Sequence, residues 1–125
     1  MKKKLEFSAN QRDDRTWIYT VSGHLYGLNN GYTFQDDVRE RVSAGVRKVV
    51  VDLSRVERID SSGIGILASI MFSASQAGGG LVLAALPKRI EQLLSMAMLL
   101  DHIDHADSVD EALARLDAMD LEKAT

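Results

Sequence analysis

The stretch Val46–Leu53, VRKVVVDL, limits the fold more than any other part of the chain. Apart from Arg47, Lys48 and Asp52 it is apolar without alternation, and a strand of that kind has to be covered on both faces or lie centrally in a sheet. LVLAAL, at 81–86, reads as a second buried strand. Between the two, Ile64, Ile66, Leu67, Ala68, Ile70, Met71 and Phe72 surround most of a helix that starts at Ser61 or Ser62, so this helix is expected to be largely buried. Glycines 78–80 end it, because glycine takes the left-handed cap conformation without penalty. The alternation of strand and helix after residue 32 predicts the α/β class, with one compact sheet and helices packed on it.

The flanking segments add smaller elements. Leu5–Ser8 reads as a short first strand, NQRDDR as a polar turn, and WIYTVSG as a second strand, so the chain opens with a hairpin or meander. LYGLNNGY, with two glycines and two asparagines, reads as a loop. Thr33 and Asp36 have capping-box spacing. The helix they would open puts Phe34, Val38 and Val42 on one face, turns Asp36, Asp37, Arg39, Glu40 and Arg41 to water, and stops near Gly45. Pro87 suits the first turn of a third helix, from Lys88 to about Leu99. Ser108 and Glu111 form a second capping box for VDEALARLDAM, whose Val109, Ala112, Leu113 and Leu116 share a face.

A length of 125 residues fits one domain. The expectation is a single domain over 1–125, with its core at about 5–119 and a tail at 120–125. Net charge is -3, and the basic cluster Lys2, Lys3 and Lys4 is small and terminal, so no direct nucleic-acid partner is expected. Polar residues follow that cluster where a signal peptide needs an apolar core. Ser69, Ser73, Ser75 and Gln76 interrupt the longest apolar stretch, so no membrane partner is expected. Cysteine is absent, which removes disulfides, thiolate catalysis and thiolate metal sites and agrees with a cytoplasmic location.

Chemistry gathers at IDSSGIG, residues 59–65. A helix beginning just after Asp60 leaves its first N–H groups without intrahelical partners, and Gly63 and Gly65 leave that backbone uncovered, which suits a phosphate. A nucleotide-binding loop would need a Lys-Ser or Lys-Thr pair, and there is no lysine. A serine nucleophile on a strand-to-helix elbow would need glycine two residues earlier, where Ser61 has Ile59. Two uses remain open. A kinase adds phosphate to an exposed serine and so repels a docked partner, or Asp60, Ser61 and Ser62 only cap the helix.

Asp60-Ser61-Ser62-Gly63-Ile64-Gly65, preceded by VVVDLSRVERI and followed by an apolar helix, GGG and a strand, resembles the anti-sigma factor antagonist branch of the STAS domain family. The likeness runs from about residue 16 to 117. It implies a single STAS-like domain, a small mixed β-sheet with about four helices packed mainly on one side. It also implies that Ser61 is the phosphorylation position, with Asp60, Ser62, Gly63 and Gly65 supporting the site and His24, Tyr26 and Ile64 as candidate partner-binding residues. The implied partners are an anti-sigma factor that doubles as a serine kinase, bound by the unmodified protein so that a sigma factor is freed, and a phosphatase that reverses the modification. The alternative is a non-switching STAS scaffold in a multiprotein complex, stressosome-like or lipid-transporting. Two departures stand out. Gly23-His24-Leu25-Tyr26 replaces the family's acidic G-E-[IL]-D, and AMLL at 97–100 replaces its Thr-Gly-Leu turn.

Other residues are read without a site. His102 and His105 in DHIDHAD sit in a solvated polar connection, and His24 is expected to be an exposed loop residue. Met71 is expected to fill core, Met119 lies on the last predicted helix, and Met96 and Met98 with Leu99 and Leu100 are expected to form a partly exposed patch. Trp17 and Tyr19 are expected to pack on the sheet. No catalytic residue, metal or cofactor is expected.

Overall fold

The computed structural model describes residues 2–119. Met1 and the expected tail at 120–125 lie outside the described residues. The strands are β1 (Glu6–Asp13), β2 (Thr16–Leu25), β3 (Lys48–Ile59), β4 (Gly80–Ala84) and β5 (Asp104–Ala106). They form one sheet in the order β1-β2-β3-β4-β5, with β1 antiparallel to β2 and every other neighbouring pair parallel. The non-alternating run sits on the middle strand. Val49, Val51 and Leu53 enter the main core, whereas Val50 faces the other side of the sheet.

The helices are α1 (Tyr32–Ser43), α2 (Ser61–Gln76), α3 (Lys88–Met96) and α4 (Val109–Ala118). Phe34, Val38 and Val42 of α1, Ile66, Leu67, Ile70 and Ala74 of α2, and Ile90 and Leu94 of α3 share the main core. α4 covers the opposite face, where Ala112 and Leu116 meet Val50, Val82, Ala84 and Ala106. Ser108 caps α4 by accepting the Glu111 N–H at 3.1 Å, and Gly78, at φ 81°, follows the end of α2. Tyr19 is buried against Phe7 and Phe34, its hydroxyl donates to Asp37 at 2.6 Å, and the Arg41 guanidinium lies 4.1 Å over the Trp17 ring.

Several local expectations are corrected. β1 continues through Asn10, Gln11 and Arg12 instead of turning there, because an edge strand with one exposed face accepts polar residues once its neighbour fixes the ladder. β3 likewise runs on through SRVER to Ile59. The expected loop at 25–32 is instead the end of β2 followed by a wide helical turn, Gly27–Gly31, kinked at Asn30 with φ 73°. Since the chain enters α1 already helical through Gly31, no side chain caps it, and Thr33 and Asp36 form no capping box. α3 ends at Met96, three residues early, and Met98 is left-handed at φ 60°. α2 is less buried than its composition implies, since Phe72 is 60% exposed.

Candidate functional site

Asp60 leaves β3 in extended conformation and caps α2, its Oδ1 accepting the Gly63 N–H at 2.9 Å. The same oxygen accepts the Ser62 hydroxyl at 2.6 Å. Ser62 Oγ in turn accepts the Gly27 N–H at 2.7 Å, so the second serine is committed to joining the start of α2 to the turn after β2. Ser61 differs. It is exposed at the first position of α2, and among the described residues its hydroxyl takes part in no hydrogen bond. A free hydroxyl therefore stands at the positive end of a 16-residue helix, beside N–H groups that have no intrahelical acceptor.

The two glycines do different work. A Cβ on Gly63 would stand 2.1 Å from Leu25 O and 2.7 Å from Ile59 Cγ1, so α2 starts in backbone contact with the end of β2. A Cβ on Gly65 would meet nothing within 4 Å, so packing within the chain does not explain that glycine. The whole of α2, SSGIGILASIMFSASQ, carries no charge.

The turn opposite Ser62 is held from behind. Asn29, almost fully buried, donates through Nδ2 to Lys3 O at 2.7 Å and to His24 O at 2.9 Å. Asn30 Nδ2 donates to Leu5 O at 3.0 Å. Leu28, on the outside of this turn, is 94% exposed, and Tyr32 is partly exposed beside it.

The structure brings Asp60, Ser61, Ser62, Gly63 and Gly65 together on one strand-to-helix junction, with Ile64 half-buried next to them. Tyr26 is half-buried at the turn. His24 is not the exposed loop residue expected. It is 3% exposed near the end of β2, opposite Arg58 of β3, because β3 extends far enough to pair with Gly23-His24-Leu25 and carry them into the sheet. As a buried residue its side chain offers no direct surface to a partner.

The sequence reading missed Gly27, Asn29 and Lys3. The Asn-Gly-rich composition signals a turn there but does not reveal that the turn clamps a serine 35 positions away. Met96 and Met98 are 80% and 78% exposed, beside half-buried Leu99 and Leu100. His102 is exposed and His105 half-buried, and among the described residues no group of three or more histidine, aspartate or glutamate side chains is placed to hold a metal ion. No helix among the described residues is long and apolar enough to cross a membrane. A groove of about 560 Å³ lined by Glu6, Ser8, Thr20, Ser22, Lys4 and Arg55 does not include Ser61.

A mixed sheet whose middle strand runs into a capped, serine-headed helix is the architecture of a STAS domain, and the STAS domain model matches residues 8–112; the chain belongs to the STAS domain family. Within it, the chain stands with the anti-sigma factor antagonist branch. A Thermotoga neapolitana protein provisionally named an anti-sigma factor antagonist is 33% identical over 87 residues, 69% of this chain and 77% of the relative. The crystal structure of a Thermotoga maritima protein provisionally given the same role superposes with a TM-score of 0.77 at 25% identity, covering 89% of this chain and 94% of that one. The anti-sigma factor antagonist SpoIIAA in its unphosphorylated form superposes with a TM-score of 0.76 over 91% of this chain and 98% of its own. At 16% identity that likeness speaks for the fold alone.

Proposed function

We propose that this domain is a cytoplasmic anti-sigma factor antagonist switched by phosphorylation of Ser61. The unmodified face around Ser61 docks an anti-sigma factor that is also a serine kinase, which frees a sigma factor. Transfer of a phosphoryl group from ATP to Ser61 Oγ, with ADP leaving, ends the complex, and a phosphatase restores the hydroxyl by hydrolysis. The domain is a regulatory substrate in this cycle and not an enzyme.

The observation that carries the reading is the division of labour between adjacent hydroxyls: Ser62 is bonded to Asp60 and Gly27, while Ser61 is exposed and uncommitted. The names of the sequence relatives support the general role, and SpoIIAA exists in unphosphorylated and phosphorylated forms. The physical argument is asymmetric. Phosphate adds nearly two negative charges. The start of α2 compensates them through its dipole and free N–H groups, whereas a partner surface that must desolvate them loses about 3 to 4 kcal/mol, several hundredfold in affinity.

Incubation with the cognate kinase and ATP, followed by mass spectrometry, is expected to place one phosphate on Ser61. In a pull-down, Ser61→Ala is expected to retain the anti-sigma partner and Ser61→Asp to release it. Equal retention by both variants, together with no phosphate at Ser61, would overturn the switch and leave a scaffold module in its place.

A further inference from the structure

His24 is the buried one among the chain's three histidines, and its ring is tied to the N-terminal segment. Nδ1 accepts the Lys3 N–H at 3.1 Å, while the His24 N–H donates to Lys3 O at 3.1 Å. Lys3 O is also an acceptor for Asn29, which reaches His24 O with its other amide hydrogen. Asn29 belongs to the turn whose Gly27 N–H holds Ser62 Oγ, and Ser62 is bonded to the cap residue Asp60. Hydrogen bonds and short pieces of backbone together therefore connect the imidazole, through Lys3 and Asn29, whose own N–H donates to Tyr26 O at 3.0 Å, to the first turn of α2.

We propose that His24 is a positioning residue for the junction that presents Ser61, and that it holds the junction only as a neutral imidazole, so that proton uptake loosens the site. The proposal rests on reading Ser61 as the functional residue. Its chemistry is local: a nitrogen that accepts the Lys3 N–H cannot also carry a hydrogen. Protonation at Nδ1 sets two N–H groups against each other, the strap at Lys3 lets go, and Asn29 loses an acceptor. The charged and titratable groups around the ring are Lys3 on the strap, ion-paired to Glu57 of β3 at 2.8 Å, Arg58 opposite His24 on β3, and Tyr26, whose ring centroid lies 5.4 Å away. Histidine is the side chain that ordinarily changes charge between about pH 5 and 8.

The test is amide hydrogen exchange of the whole chain by NMR from roughly pH 8 to pH 5, with intrinsic rates divided out. In the wild type, protection at Lys3, Gly27 and Asn29 is expected to fall about tenfold across that range, the size of effect expected when a buried hydrogen bond is lost. In His24→Asn, whose side-chain oxygen takes the place of Nδ1 but does not titrate, protection is expected to stay flat. A flat wild-type profile, or an equal fall in both proteins, overturns the proposal. Should His24→Asn fail to fold, ring nitrogen shifts of the wild type decide the matter: an unprotonated Nδ1 near pH 8 supports the assignment, and a proton resident there overturns it. Neither measurement needs a kinase or a partner. A pH-dependent strap with no phosphate on Ser61 would remove only the functional reading, and a flat strap on a protein that is phosphorylated would remove only this one.

Discussion

Gly63→Ala and Gly65→Ala, two residues apart on one helix, are expected to move stability in opposite directions. The new Cβ at 63 would lie 2.1 Å from Leu25 O, where ordinary contact begins at 3.4 Å. Either α2 or the end of β2 must therefore move by more than an ångström. Overpacking of this kind costs about 1–3 kcal/mol. The Gly27–Ser62 bond spans the same gap and is expected to be lost with the movement, costing about 1 kcal/mol more. Alanine's better helix propensity returns up to about 1 kcal/mol. The net expectation is a loss of about 2 kcal/mol, or about 8 °C in melting temperature for a chain of this length. At 65 the added methyl meets nothing within 4 Å, so only the propensity term remains, a gain of about 0.5–1 kcal/mol and about 2–4 °C. Urea unfolding with linear extrapolation, alongside thermal melts, measures both changes. Gly63→Ala as stable as the wild type, or both variants shifting the same way, would refute the close approach of α2 to β2 on which the site's geometry depends.

The two serines separate in the same assay: Ser62→Ala is expected to lose about 1–2 kcal/mol because Gly27 N–H loses its acceptor and Asp60 a donor, whereas Ser61→Ala should stay within about 0.5 kcal/mol of the wild type. Tyr19 gives a pH signature. Burial, then its hydrogen bond to Asp37, raises the phenol above its ordinary value of 10.0. At lower pH both the folded and unfolded chains keep the proton, but above about pH 10 the unfolded chain releases it first, so stability falls as pH rises. Urea midpoints collected on either side of pH 10 should show a steeper decline for the wild type than for Tyr19→Phe, and parallel declines would contradict the buried phenol.

What the residues disclosed, and what they hid, divides along a physical line. Continuous apolar runs, the Asp60 and Ser108 caps and the amphipathic face of α1 act within one turn or strand, and each appears where its local chemistry put it. The polar ends of β1 and β3 and the burial of His24 depend on a neighbouring strand. Nothing inside Gly23-His24-Leu25 states that Arg58 and Ile59 will lie opposite. Thr33 and Asp36 fail for the converse reason: an apt capping pair was pre-empted by a helical turn arriving from upstream. At the junction, the exposed Ser61 and the Asp60 cap were legible, but the strap through Lys3 and Asn29 was not, because asparagine and glycine advertise a turn without naming what the turn will hold.

The junction draws its parts from residues 3–5, 24–31 and 59–63, and the parallel alignment of β2 with β3 is what brings them together. Parallel strands require a crossover, and pairings between distant positions form slowly. A ribosome-bound chain thus possesses the serine well before it possesses the architecture that displays it. Recognition of that architecture would double as a test of completed folding, so that immature copies stay silent in whatever circuit the finished domain serves.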